Sequence, residues 1–217
     1  MTKCQGFFCE TNRFVLNKEL NLPAEESIIW EDENVFVTPD LFPLCVGHFL
    51  VVTKYHYASF GNVPKNIYDS SQQAIEYLKH SILNGKEVII FEHGAVMEHT
   101  VGSCIDHAHI HIMPLKQDVR PLIEKSIFIN ELSQRGSYSV LRELANKNQP
   151  YIYYQKNSED AFIYPVDQLP SQFLRILIAQ TLGISYNWKI MRVDGSATQR
   201  FLDTLKLAKG LNNETII

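Results

Sequence analysis

Apolar and polar positions alternate in short runs along the first half of the chain and then change period. Ser27 to Thr38, "SIIWEDENVFVT", holds two β-rich runs around an acidic turn, which predicts a hairpin; "GHFLVVTKYH", Gly47 to His56, predicts a third strand. From Pro64 the apolar positions Ile67, Ala74, Ile75, Leu78 and Ile82 recur at helical spacing and Gly85 stands just past the end, so one long amphipathic helix is expected to pack on the sheet. "EVIIFEHG", Glu87 to Gly94, predicts the next strand, a polar loop runs to Ser103, and "DHAHIHIMP", Asp106 to Pro114, closes the unit. Successive side chains of a strand point to opposite faces, which puts His107, His109 and His111 on one face and Ala108, Ile110 and Ile112 on the other. Strands, one helix and more strands make an α+β domain.

After Pro114 the texture shifts. Residues 116–149 read as helical with interruptions, "YIYYQKNSEDAFIYPV" (Tyr151 to Val166) as a hairpin around a polar turn, and "LPSQFLRILIAQTLG" as a helix with Pro170 near its start and Gly183 past its end. A last helix is expected from an N-cap at Ser196 to before Gly210, and the final "LNNETII" as a loosely held tail. No internal repeat or low-complexity linker separates the halves. Residues 1–115 are therefore expected to form one domain, with 116–217 as a C-terminal α/β extension packed on it.

Composition narrows the function classes. The 217 residues carry a formal charge of −4, so a basic footprint for long nucleic acid is absent. No segment approaches the ~18 apolar residues of a spanning helix, and no apolar run follows a cationic start, so neither membrane insertion nor secretion is expected. The four cysteines, Cys4, Cys9, Cys45 and Cys104, are scattered, which points to reduced thiols and a cytoplasmic location.

Three imidazoles at alternate positions, beside His48 and His56 in "GHFLVVTKYH", are too regular for an ordinary strand face and mark a site. Two chemistries fit. Neutral imidazoles two apart on a strand can share a zinc ion with an open coordination position. Alternatively, a neutral imidazole attacks phosphorus and forms a phosphorus–nitrogen bond that a second displacement releases, while its neighbours donate hydrogen bonds to phosphoryl oxygens.

"HAHIHIMP" resembles the H-x-H-x-H signature of the histidine-triad (HIT) superfamily, and "GHFLVVTKYH" resembles that family's G-H-x-L-V-x-P-K-x-H strand, in the family's order. The likeness extends over roughly residues 4–115 and implies a HIT-like antiparallel sheet with a long helix packed on it. It implies His109 as the nucleophile, with His107, His111 and His48 as the other catalytic histidines in its hydrogen-bond network, and Asp40 on the ribose hydroxyls. Glu92 and His93 fall where the family carries an amide or acid beside the leaving group; Glu92 is expected to orient a histidine or a cation, and His93 to be a fifth site imidazole. Ser103 and Cys104 stand where the family has glutamine followed by serine or threonine, so a thiol replaces a hydroxyl near the leaving group. Some members hold a structural zinc through C-x-x-C and two histidines. Here "CQGFFC" leaves only Cys9 aligned, with His56 as a possible partner, so no metal and no cofactor is expected. Beyond the motif region, Arg175 is a candidate for a distal phosphate and the tyrosines near 151–164 for hairpin packing or base stacking.

The resulting expectation is a hydrolase or nucleotidyltransferase acting on dinucleoside polyphosphates or nucleoside phosphoramidates through a covalent nucleotidyl-histidine. Its partners would be small nucleotides and, since family members commonly dimerise, a second copy of the chain. The rivals are a non-catalytic nucleotide-binding module and a zinc hydrolase in which the ladder holds metal.

Overall fold

The acidic turn predicted between Ser27 and Thr38 forms because Asp32 Oδ1 accepts the N–H groups of Asn34 and Val35 at 2.7 and 2.8 Å, reversing the chain between β1 (Trp30–Glu31) and β2 (Val35–Pro39). A computed structural model of the chain describes residues 8–10, 12–94, 107–127, 134–167, 169–170, 172–187 and 195–210. A short helix α1 (Val15–Glu19) and a 3₁₀ turn (Glu25–Ser27), neither signalled by the pattern, precede the hairpin. β3 (Phe49–Thr53) follows, then α2 (Lys65–Tyr77), which continues through a wide π turn (Leu78–Ile82) and ends before Gly85 at φ +74°.

β4 (Val88–Gly94) and β5 (His109–Pro114) complete the predicted unit, and the chain then adds α3 (Arg120–Ser126), β6 (Gln134–Arg135), α4 (Tyr138–Asn146), β7 (Tyr151–Lys156), β8 (Phe162–Pro165), α5 (Phe173–Thr181) and α6 (Gly195–Ala208). The eight strands among the described residues form one antiparallel sheet in the order β1-β2-β3-β5-β4-β7-β8-β6. The α+β class with an antiparallel sheet and a long helix is thus what the chain adopts. Residues beyond 115 join that sheet directly, because β7 pairs with β4 from Ile89↔Lys156 to Gly94↔Tyr151.

The sheet is covered on both faces, which a half-solvated antiparallel meander would not be. On one face Val35, Val37, Phe49, Val51, Ile90, Ile110 and Ile112 pack with Ile67, Ala74 and Ile75 of α2 and Leu78 of the π turn. On the other, Ile89, Phe91, Met113, Ile152 and Tyr154 pack with Ile123 of α3 and with Leu174, Leu177 and Ile178 of α5. Each large apolar side chain removed from water in this way contributes roughly 1.5–3 kcal/mol before entropy is subtracted. No helix among the described residues is long and apolar enough to cross a membrane.

α6 clamps the loop between β2 and β3. Phe201 and Thr204 are fully buried, the Gly47 N–H donates to Thr204 Oγ1 at 2.9 Å, and Arg200 Nε donates to Pro43 O at 2.6 Å. Gly47 is required there twice over: its φ is +89°, and a Cβ would come within 3.1 Å of Leu83 and 3.2 Å of Pro114.

Candidate functional site

Strand parity decides which groups meet. His109 lies opposite Val52 and His111 opposite Leu50 and Phe91, so both project onto the face away from α2. Asp40 and His48, at the end of β2 and the start of β3, have the parity of Leu50 and Val52 and reach the same side. His93 does so from β4, where the register that pairs Phe91 with His111 sets it across from His109. Asp40, His48, His93, His109 and His111 are therefore gathered on one face.

Hydrogen bonds fix the ring nitrogens. The Leu44 N–H donates to His48 Nδ1 at 3.2 Å, so the His48 proton is on Nε2, which lies 3.0 Å from His111 Nδ1. His111 Nδ1 must accept, which leaves its proton on Nε2. Phe91 stacks on the His111 ring at 4.5 Å and 6°, holding that orientation. His109 Nδ1 lies 2.6 Å from the His107 carbonyl oxygen, which can only accept; the His109 proton is therefore on Nδ1, and Nε2 carries a lone pair. One face thus presents a bare imidazole nitrogen beside an imidazole N–H, with ring centroids 4.9 Å apart.

Electrostatics keep this network neutral. Burial lowers His48 to about 4 against the pull of Asp40, lowers His93 to about 4, and lowers His109 and His111 as well, His111 strongly. Burial works to raise the Asp40 carboxyl, but Arg175, His48 and the Phe42 N–H outweigh it and hold the group below the ordinary carboxylate range. His93 Nε2 is buried without a hydrogen-bond partner among the described residues, an uncompensated polar atom at the edge of the imidazole cluster.

Several expected site residues lie elsewhere. His107 precedes the paired part of β5, and its Nε2 donates to Thr53 O at 2.7 Å; its ring turns toward Cys9 and His56 instead of joining the His48–His111 pair. Only its carbonyl serves the network. Glu92 is on the α2 face, where it accepts from the Phe60 N–H at 2.8 Å and from the Tyr151 hydroxyl at 2.7 Å, so it orients neither a histidine nor a cation. Desolvation pushes its carboxyl up to about 7. Ser103 and Cys104 lie outside the described residues.

Arg175, a candidate for a distal phosphate in the sequence, is instead held inside the protein. From α5 its guanidinium reaches the Asp40 carboxylate and the Phe42 carbonyl oxygen, and its Nε donates to the Tyr186 hydroxyl at 2.9 Å. Asp40 is only 4% exposed beneath it. Nothing in the helical pattern marks a partner 135 positions away. Phe8, whose ring lies 6.1 Å from that of His109, carried no signal either.

Two groups of potential metal donors exist among the described residues. Cys9 Sγ lies 3.5 Å from His56 Nδ1 and 3.9 Å from His107 Nδ1, but Cys9 is disulfide-bonded, so its sulfur is not the thiolate that zinc requires. The expectation of reduced thiols thus fails at Cys9 and holds at Cys45, a free thiol. Asp40, His48 and His111 are already hydrogen-bonded to one another or capped by Arg175, and a metal ion would have to displace a guanidinium. Neither set fits a metal as it stands.

The family model described as HIT domain matches residues 21–118. A HIT-like protein of Methanocaldococcus jannaschii is 32% identical over 111 residues, covering 49% of this chain and 76% of that relative. Among solved structures, a histidine triad protein from Clostridium difficile is 24% identical with a TM-score of 0.37, over 54% of this chain and 96% of that one. A yeast Ap4A phosphorylase in complex with AMP is 13% identical with a TM-score of 0.44, over 90% and 78%. On the sequence match and the archaeal relative, the chain belongs to the HIT family.

Proposed function

We propose that this protein is a hydrolase or nucleotidyltransferase that cleaves a nucleoside 5′-phosphoryl compound, such as a dinucleoside polyphosphate or a phosphoramidate, through a nucleotidyl group on His109. The observation that carries the reading is the His109 tautomer: its Nδ1–H is committed to the His107 carbonyl, and the lone pair of Nε2 is left for attack. Burial keeps the ring neutral near pH 7, so no deprotonation precedes the step.

In the first displacement His109 Nε2 bonds to the α-phosphorus as the bond to the leaving phosphate or amine breaks. The ring becomes a phosphorylated imidazolium, whose positive charge the His107 carbonyl stabilises through Nδ1–H. His111 Nε2–H, aimed by His48, donates a hydrogen bond to a phosphoryl oxygen, and an amine leaving group takes its proton from water. Water or phosphate then bonds to phosphorus, the phosphorus–nitrogen electrons return to Nε2, and the nucleoside mono- or diphosphate leaves; water gives up one proton to solvent. No metal is needed for either step.

The test is turnover of diadenosine tetraphosphate with and without chelator, by the unmodified protein and by His109→Ala, with intact-mass detection of a nucleotidyl adduct. Chelator-resistant release of adenine nucleotides that disappears with His109→Ala is the expected result. Nucleotide binding without turnover in either protein would make the chain a binding module, and turnover lost to chelator would make the site a metal site.

A further inference from the structure

The C-terminal half places a buried cation against the carboxylate that touches the imidazole pair. Asp40 Oδ2 lies 3.6 Å from His48 Nε2 and 3.5 Å from His111 Nδ1, and Arg175 from α5 is bonded to that same oxygen. Arg175 is anchored on three sides, by Asp40, by the Phe42 carbonyl and by Tyr186, whose hydroxyl in turn bonds to Gln172 at the start of α5. The charged or titratable groups facing the pair are Asp40 from the β2–β3 loop, His109 from β5, His93 from β4 and Arg175 from α5. Among them Asp40 supplies the one negative charge and Arg175 the one permanent positive charge.

An Asp40 carboxylate without Arg175 would be a buried anion within reach of two imidazoles, and the pair would bind a proton to compensate it. That proton would go to His111 Nδ1, the nitrogen that accepts from His48. The His48–His111 hydrogen bond would lose its acceptor, since His48 Nδ1 is held by the Leu44 N–H and the ring cannot reverse its donor. We propose that Arg175, supplied from beyond the matched HIT region, is a positioning residue of the site: by neutralising Asp40 it keeps the imidazole pair neutral and preserves the His48→His111 hydrogen bond that aims the His111 ring and its outward Nε2–H. The inference deepens the proposed function, on which it rests only for the purpose of that N–H. The hydrogen-bond direction itself can be tested without turnover.

The experiment is ¹⁵N NMR of histidine-labelled full-length protein, reading the tautomer and titration midpoint of His48 and His111 in five forms: unmodified, Arg175→Lys, Arg175→Met, Asp40→Asn and Arg175→Met with Asp40→Asn. In the unmodified protein His111 carries its proton on Nε2 and stays neutral through pH 6. Arg175→Met raises the midpoint of the pair by at least about one unit, a tenfold gain in proton affinity, while Arg175→Lys, which keeps the charge, stays near the unmodified value. Asp40→Asn lowers the midpoint, and the double variant returns it toward the unmodified one. Should Arg175→Met fail to fold, the Asp40→Asn and double-variant midpoints still decide the matter. Midpoints that ignore the charge balance, or a His111 proton found on Nδ1 in the unmodified protein, overturn the proposal. A protein with these midpoints but no His109-dependent turnover would overturn the proposed function alone.

Discussion

Asp40 and Glu92 are both carboxylates sunk in the same sheet, one on each face, and they behave in opposite ways. Asp40 meets a guanidinium and stays ionised; Glu92 meets a backbone N–H and a tyrosine hydroxyl, both neutral, and holds its proton to about pH 7. Burial is common to both, so the charge of the partner separates them. The histidine face is a polar network balanced by an ion pair from the C-terminal half, whereas the α2 face is an apolar core that tolerates one carboxyl by keeping it neutral.

The contrast can be broken most severely at His109, the proposed nucleophile. His109→Ala is expected to lower kcat by on the order of 10³-fold or more in a steady-state assay while leaving thermal stability within about 1 kcal/mol, because the proposed covalent step is lost and little packing is. A His109→Ala protein with undiminished turnover would remove the histidine face from catalysis.

Asp40→Asn comes next. It strands Arg175 in a site where the pair is nearly inaccessible, and the expected loss in a denaturant titration is about 3–5 kcal/mol. A loss below about 1 kcal/mol would show that water reaches the guanidinium.

pH then distinguishes the faces by sign. His48 has its folded value near 4, below the ordinary histidine value of 6.5, so it favours the unfolded state as pH falls from 6.5 to 4. Glu92 has its folded value raised to about 7 from 4.5; its stabilisation is fully present below 4.5 and is lost as pH rises through 7. Glu92→Gln should match the unmodified protein at pH 4.5 and exceed it at pH 8 by up to about 3 kcal/mol in chemical denaturation. Equal pH slopes for the two proteins would mean that Glu92 is ionised in the fold.

The smallest expected effect is at Gly94, over which the Tyr151 ring lies on its way to Glu92. A Cβ there would fall 2.2 Å from the ring, so Gly94→Ala should cost about 1–3 kcal/mol, read as a lower Tm, and weaken the Tyr151–Glu92 hydrogen bond.

Much of this arrangement was legible in the chain. The period change at Pro64 marked α2, the alternation in "HAHIHIMP" placed His109 and His111 on one face, and the paired strand motifs brought His48 to them. Glu92 was misplaced for a physical reason: β4 is apolar and buried on both faces, so its sequence has no alternation from which a face could be assigned. His107 shares the parity of the ladder but stands outside its paired stretch, and a side chain beyond the strand end follows the nearest acceptor, here Thr53 O.

By itself, then, the sequence determined the local periods, the strand that carries the imidazoles and the family pattern those residues spell, because such properties depend on neighbours along the chain. Only the tertiary structure decided the protonated nitrogen of each ring, the face of Glu92 and the union of Asp40 with Arg175. The last two depend on partners far apart in the chain, and the ring tautomers on hydrogen bonds, some of them between near neighbours, that form only in the folded backbone; local periodicity names none of these.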